Sequence, residues 1–161
     1  MDIINKDQGF SLIEMVIALL IVIIISSFIS ISTYQDSSIN WSNQIRQISN
    51  NLRYAQSLAM SLNTRHRVYF TANSYRIAAY NQINGTETFI YFPISGATTI
   101  NLFNNILFAI PPTPDCFAFN GKGQPCNCTD GGVFSNDITI KLITNGAFKS
   151  ITVTAYTGYI N

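Results

Sequence analysis

The hydrophobic pattern of the chain opens with a polar leader and an almost wholly apolar run. The run extends from Phe10 to Ile31, and Glu14 is its only ionisable residue. About 22 residues at 1.5 Å per residue span ~33 Å, close to the thickness of a bilayer's hydrocarbon core. Because the run contains neither proline nor an internal glycine, the sequence predicts a transmembrane helix over residues 10–31.

The helix is expected to continue well beyond this run, since no proline or glycine occurs before Gly85. Residues 26–43 are rich in serine, isoleucine and threonine, so we expect frayed or locally melted helix there. Beyond them an apolar stripe at helical spacing predicts one helix over residues 10–62, whose second half packs on a sheet rather than forming a coiled coil. The stripe consists of Trp41, Ile45, Ile48, Leu52, Ala55, Ala59 and Leu62.

The pattern changes to the alternation typical of β-strands after Asn63. Asn145-Gly146, between two alternating segments, predicts a tight hairpin, and Pro111, Pro112 and Pro114 open an irregular segment. The fold class is therefore α+β, with a β-rich domain over residues 63–161. Its predicted strands are Arg67–Thr71, Tyr75–Tyr80, Thr88–Phe92, Ile106–Ile110, Cys116–Phe119, Ile138–Ile143 and Ser150–Tyr156.

Composition and charge argue against several classes of function. Hydrophobic residues make up 47%, charged residues 11%, and the net charge is +1, so neither a nucleic-acid nor an anionic-membrane specialist is indicated. Enzyme chemistry has little support, and no cofactor or metal is indicated, because the chain has one histidine, no paired carboxylates at helical spacing and no phosphate loop. Glu87, Asp130 and Asp137 are expected to serve turns or caps.

The three cysteines, Cys116, Cys126 and Cys128, lie close together in the sequence. They follow the predicted anchor, so they are expected on its far side, in an oxidising compartment, with one disulfide from Cys116 to either Cys126 or Cys128. A zinc site is the alternative, but it usually needs four ligands, and His66 is the only histidine that could join.

Glu14 is a functional candidate because a charged carboxylate near the middle of a membrane costs about 2.5–3.5 kcal/mol. The nearest candidate cation is an α-amine at Phe10, which exists only if the chain is cut after Gly9. The apolar run is followed by no small-residue signal-peptidase site, so we expect it to be retained. The alternative is a plain single-pass anchor, in which Glu14 only complements the positive end of the helix dipole.

The segment GFSLIEMVIALLIV closely resembles the processing site and first helix of type IV pilins and type II secretion pseudopilins. The resemblance implies a leader over residues 1–9 and a pilin-like fold. A prepilin peptidase would cut between Gly9 and Phe10 and N-methylate Phe10, and Glu14 would serve assembly. The chain would then sit in the inner membrane with a periplasmic C-terminal domain. There it would meet an assembly platform and join other pilins or pseudopilins in a filament.

Two further segments resemble GspH/FimT-type minor pseudopilins. In LRYAQSLAMSLNTRHRVYF, Arg53, Ala55 and Ala59 fall near the family's Arg-x-x-Ala-x-x-x-Ala-like positions, where a helix runs directly into a strand. The C-terminal run is similar too, and it implies a hairpin and a final strand with a glycine. In DNA-binding FimT-type members that glycine begins Gly-Arg-x-Arg. Here the corresponding residues are Gly158-Tyr159-Ile160-Asn161, without either arginine.

These features predict a structural minor subunit of a type IV pilus or a type II secretion pseudopilus. Arg65, His66 and Arg67 are expected to cap the helix C-terminus, and a phosphate contact is their alternative role. A DNA-binding minor pilin for transformation is the second hypothesis, and adhesin-like binding through the loop 120–132 is the third. The candidate DNA contacts are Arg65, Arg67, Lys122, Lys141 and Lys149.

Overall fold

The computed structural model describes residues 11–31, 37–103, 105–109, 115–144 and 146–161, with the backbone alone at 27–31 and 37–40. Contacts divide the chain after Ser37, and each of the two units is described by itself. Some predicted features lie outside the described residues: the processing pair Gly9 and Phe10, the prolines Pro111, Pro112 and Pro114, and the turn residue Asn145.

Helix α1 spans Leu12–Ile31. It begins where the carbonyl oxygen of Ser11 accepts hydrogen bonds from the amides of Glu14 at 2.9 Å and Met15 at 3.2 Å. Its apolar side chains between Leu12 and Ile25 are exposed. No helix in the described part of the chain has both the length and the apolarity of a membrane span.

Helix α2 spans Ser37–Leu62 and buries the predicted stripe. Trp41, Ile48, Leu52, Ala55 and Ala59 are buried, and Ile45 is partly buried. The stripe is wrong at its last position, since Leu62, the last residue of α2, is 60% exposed. Residues 32–36, which would join α1 to α2 in one helix, lie outside the described residues.

The C-terminus of α2 corrects the predicted role of Arg65, His66 and Arg67. Asn63 adopts a left-handed conformation (φ 47°), and the amide of Thr64 bonds the carbonyl oxygen of Ala59 at 3.2 Å. This Schellman-type arrangement satisfies the end of the helix without a cation. The three basic residues instead begin the first strand, where half-buried and buried positions alternate.

The described residues form nine strands in two antiparallel sheets. The first sheet has the order β3-β2-β1-β6-β7, with β4 also paired to β2, and the second has the order β5-β8-β9. The strands are β1 (Arg65–Phe70), β2 (Ser74–Tyr80), β3 (Glu87–Phe89), β4 (Thr99–Asn101), β5 (Leu107–Phe108), β6 (Cys116–Phe119), β7 (Pro125–Asn127), β8 (Ile138–Thr144) and β9 (Ala147–Val153).

Each predicted strand overlaps an observed one, and two strands were not predicted. Strands β4 and β7 are three residues long, and β7 begins with Pro125, a residue that discourages a strand assignment although it is tolerated at a first position. The predicted hairpin is confirmed: Thr144 pairs with Ala147 across a two-residue loop, and Gly146 supplies the positive φ of 80° that this loop requires.

One hydrophobic core joins α2 to both sheets. Phe117 stacks on Phe70 with ring centroids 5.9 Å apart, and Phe119 meets Phe117 edge-on at 5.3 Å. Phe108 of the second sheet meets Phe70 at 5.1 Å, so the aromatic cluster spans the two sheets. The predicted fold class, a helix packed on an antiparallel β-domain, is confirmed.

Candidate functional site

The N-terminal segment that contains Glu14 is described from Ser11 onward. Glu14 lies in the first turn of α1 and is exposed. A carboxylate in that turn is stabilised by the positive end of the helix dipole. Because the Glu14 side chain is exposed, a cation outside this chain can reach it.

The cysteine loop contains a disulfide between Cys116 and Cys128, whose Cα atoms are 6.1 Å apart. The pairing of Phe117 with Asn127 in β6 and β7 brings these two cysteines opposite each other, so Cys128 is the partner of Cys116 and Cys126 is not. Cys126 is free and buried, and its burial raises the pKa of its thiol. The described residues contain no group of three or more metal-binding side chains.

Arg67 connects β1 to the strand β3 and to the cysteine loop. Its guanidinium lies 2.5 Å from Glu87 Oε1, donates to the carbonyl oxygen of Cys128 at 2.6 Å and lies 3.5 Å from the centroid of the Tyr80 ring. Tyr69 also donates to Glu87. Partial burial alone would raise the pKa of Glu87, but the hydrogen bonds from Tyr69 and Arg67 lower it.

The contact with Arg67 corrects the expected turn or capping role of Glu87, which is the first residue of β3 rather than part of a turn. The pairing of β2 with β1 and β3 places Glu87 and Arg67 on strands either side of Tyr80, a proximity that sequence spacing does not reveal. Asp130 does stabilise a turn, because its Oδ1 accepts from the amide of Gly132 at 2.8 Å. Asp137 accepts from the amide of Ala155 at 2.8 Å.

The five candidate DNA contacts are not brought together as one set. Arg65 is half-buried and lies 5.7 Å from the Tyr80 ring centroid, while Arg67 is paired internally. The three lysines are exposed on separate elements. Lys122 is in the turn between β6 and β7, Lys141 is on β8 and Lys149 is on β9.

The segment 158–161, which the resemblance compares with Gly-Arg-x-Arg, contributes contacts that stabilise the fold. Gln56 Nε2 on α2 donates to the carbonyl oxygens of Gly123 at 2.8 Å and Gly158 at 3.0 Å. Arg53 donates to the carbonyl oxygen of Ile160 at 3.0 Å, and the Ile160 side chain is buried. Tyr159 is 64% exposed. Gln56 could not be recognised from the sequence, because a polar residue beside an apolar stripe is usually an ordinary solvent-facing position.

His66 is fully buried on β1, although nothing in the sequence pattern predicts its burial. Its Nδ1 lies 3.2 Å from the carbonyl oxygen of Thr64, and its Nε2 has no hydrogen-bond partner in the described residues. Burial lowers the pKa of His66 below its ordinary value of 6.5, and the contact with Thr64 offsets only part of that effect.

The stability of the globular unit should therefore fall as the pH drops below about 6.5. Below that pH His66 binds a proton in the unfolded chain but remains neutral in the folded protein, because its folded pKa is lower. Proton binding therefore favours unfolding until the pH falls below the folded pKa. Thermal unfolding measured from pH 7.5 to 5 should show a falling Tm in wild type and a nearly flat Tm in His66→Gln. The pKa of Glu87 is lowered from 4.5, so its effect lies at lower pH. An equally steep fall in both proteins would contradict the assignment to His66.

Comparison with known proteins identifies a sequence motif. Residues 4–30 match the family model described as a prokaryotic N-terminal methylation motif. The matched range includes Gly9, Phe10 and Glu14. No curated protein sequence matches the chain.

Solved structures that share this fold include a type IV minor pilin and a minor pseudopilin. The type IV minor pilin FimU of Pseudomonas aeruginosa, in two crystal forms, has a TM-score of 0.52 and 15% identity, covering 74% of this chain and 85% or 90% of FimU. The minor pseudopilin EpsH from the type 2 secretion system of Vibrio cholerae has a TM-score of 0.53 and 9% identity, covering 74% of this chain and 93% of EpsH. At such identities the likeness establishes the fold. Together, the methylation motif and the shared fold support the type IV pilin and pseudopilin family for this chain.

Proposed function

We propose that this chain is a structural minor subunit of a type IV pilus or a type II secretion pseudopilus. The observation that carries the proposal is the coincidence of an N-terminal methylation motif with the fold of FimU and EpsH in one chain. Neither feature alone distinguishes a filament subunit from other anchored proteins. Their combination favours a protein that acts by assembly rather than by catalysis.

Processing would create the N-terminal amine with which Glu14 is proposed to pair. A prepilin peptidase would remove residues 1–9 and methylate the new amine of Phe10. The exposed apolar side chains of α1 would anchor the subunit in the inner membrane and then pack among other subunits' helices in the filament. In that dry core Glu14 would neutralise the Phe10 amine of a neighbouring subunit, because an unpaired buried charge is strongly unfavourable.

A periplasmic position for the globular unit is supported by the Cys116–Cys128 disulfide, since such bonds persist in oxidising compartments. The proposed topology is therefore a single N-terminal anchor with the β-domain outside the cytoplasm. The inner-membrane assembly platform would receive the processed subunit there and pass it to the filament.

Replacing Glu14 with alanine or glutamine should leave cleavage intact but reduce incorporation into filaments at least about tenfold, because either change removes the charge that pairs with the amine. Glu14→Asp is the control that keeps the charge. Mass spectrometry of the membrane-extracted chain measures cleavage and methylation, and immunoblotting of sheared filaments measures incorporation. Normal filament levels in Glu14→Gln would refute the assembly role, and a chain that still begins at Met1 in a host with an active peptidase would refute the proposal itself.

DNA binding is the less favoured function. Arg67 is already neutralised by Glu87, and the Gly158–Asn161 segment, which lacks both motif arginines, stabilises the fold. Each missing phosphate contact weakens binding and flattens its dependence on salt. A gel-shift assay of the full chain in detergent at two salt concentrations tests this alternative. A shift at low salt that is lost in Lys122→Glu with Lys141→Glu would revive it.

A further inference from the structure

Strand β9 forms the margin of the second sheet, and part of its backbone faces away from the sheet. The two-residue loop makes Thr144 and Ala147 a hydrogen-bonded pair, and bonded pairs then recur at every second residue. The backbone N–H and C=O groups of Lys149 therefore bond to β8. Phe148 and Ser150, which alternate with it, direct their N–H and C=O groups outward.

Two observed contacts verify this alternation. Thr152, the next residue of the outward set, exchanges both backbone bonds with Asn161, at 2.9 and 3.0 Å. On the adjacent strand the carbonyl oxygen of Lys141 accepts from the amide of Ala109 in β5 at 2.7 Å, and so points away from β9. The backbone groups of Phe148 and Ser150 have no partner in the described residues. Residues 147–151 thus form a free edge about 16 Å long at a strand's rise per residue.

Positive charge lines one side of this free edge. A hollow of about 350 Å³ lies between α2 and β9 and is lined by Ser42, Ile45, Arg46, Lys149 and Ser150. Arg46 and Lys149 are both exposed, and neither has an ion pair within the described residues. No carboxylate is among the lining residues. The hollow can therefore receive an anionic side chain beside an open strand edge.

The other side of the free edge is apolar except for Lys141, which lies opposite Ser150 on the same face. Phe148 is 74% exposed on the face of the sheet that points away from the core. Its cross-strand neighbour is Ile143, which is itself paired with Leu107, and both are exposed. A strand added to β9 would place every second side chain beside Phe148 and the intervening ones beside Lys149 and Arg46.

We propose that the free edge of β9 binds an extended segment of a partner protein in which apolar and acidic residues alternate. The partner backbone would pair with Phe148 and Ser150, in line with the Asn161 that already pairs with Thr152. Its carboxylates would enter the hollow between Arg46 and Lys149. Backbone pairing provides the affinity in this mode of recognition, and the flanking side chains provide the specificity.

A second copy of this chain fits the same edge poorly. Antiparallel self-pairing centred on residues 147–151 would place Lys149 directly opposite Lys149 of the other copy. Like charges directly opposite each other destabilise a strand pair. The charge of the edge therefore selects a different, acidic chain.

The test uses the full chain in detergent micelles and dye-labelled, end-capped hexapeptides. One peptide alternates valine with glutamate, one alternates valine with lysine, and one is the glutamate peptide with N-methyl groups on the amides that would bond to β9. Fluorescence anisotropy should show the glutamate peptide binding at least tenfold more tightly than either of the others. The first comparison isolates charge, and the second isolates backbone pairing.

The variant Arg46→Glu with Lys149→Glu should reverse the preference toward the lysine peptide, since both side chains are exposed and unpaired. The matched control, Lys122→Glu with Arg76→Glu, changes the net charge equally at exposed positions of the β6–β7 turn and of β2, away from β9, and should keep the wild-type preference. Equal binding of all peptides, or a preference that both double variants lose alike, would overturn the proposal. Dimerisation through the same edge would overturn it in favour of self-association. Single-stranded DNA bound by Arg46 and Lys149 in place of peptide would overturn it in favour of a phosphate contact.

Discussion

Replacing Gly158 with alanine is expected to destabilise the globular unit by about 3–5 kcal/mol. Gly158 has a φ of 68°, which costs other residues about 1–2 kcal/mol. A Cβ there would lie 2.0 Å from the carbonyl oxygen of Gly123 and 2.6 Å from Gln56 Nε2. The C-terminal segment must then move away from the 120–124 turn. Overpacking of this kind and the loss of a Gln56 hydrogen bond account for the rest.

The matched control for this change is Gly85→Ala. Gly85 has nearly the same φ, 71°, but nothing lies within 4 Å of its added Cβ. It should lose only the conformational part, about 1–2 kcal/mol. Urea unfolding of the full chain followed by circular dichroism in one detergent measures both variants. Equal losses of unfolding free energy in the two variants would show that the fold accommodates a Cβ at Gly158 without any added cost, which would contradict its short distance from the carbonyl oxygen of Gly123.

Replacing Phe117 with alanine should cost about 3–5 kcal/mol of unfolding free energy, as buried phenylalanines usually do. Phe117 has no exposed surface and lies between Phe70 and Phe119, so its loss leaves a cavity in the cluster that joins the two sheets. Neighbouring rings cannot fill that cavity without leaving their own contacts.

Phe148→Ala is the matched control, because it removes the same side chain from an exposed position on β9. It should change stability by no more than about 0.5 kcal/mol. Phe117→Leu should fall between the two, since it retains much of the buried volume. Chemical unfolding in the same detergent gives all three values. A loss below 1 kcal/mol for Phe117→Ala would mean that the aromatic cluster is not the centre of the core.

The elements with strong periodic patterns were predictable from the sequence. The stripe of α2 and the alternation of β8 and β9 each commit many residues to one face, so local pattern and tertiary burial agree. Strands β4 and β7 could not be recognised, because three residues are too few to show a period and their pairing depends on partners distant in sequence. The family resemblance rested on residues around Gly9 and Glu14, where the order of residues is itself distinctive.

The candidate site was less predictable, since its contacts join residues far apart in the chain. Arg67 and Glu87 meet through the strand between them, and Gln56 reaches two loops that no spacing rule connects to it. The capping role expected for Arg65, His66 and Arg67 was wrong for a local reason: Asn63 ends the helix first. The choice between Cys126 and Cys128 as the partner of Cys116 required the register of β6 and β7.

The burial of Cys126 helps to preserve the disulfide between Cys116 and Cys128. Thiol–disulfide exchange needs a thiolate that can reach a sulfur atom, and this sulfhydryl is shielded from solvent and held in its protonated form. Once the domain has folded, the odd cysteine cannot scramble the bond beside it. An uneven number of cysteines is thus compatible with a single, lasting bond between Cys116 and Cys128.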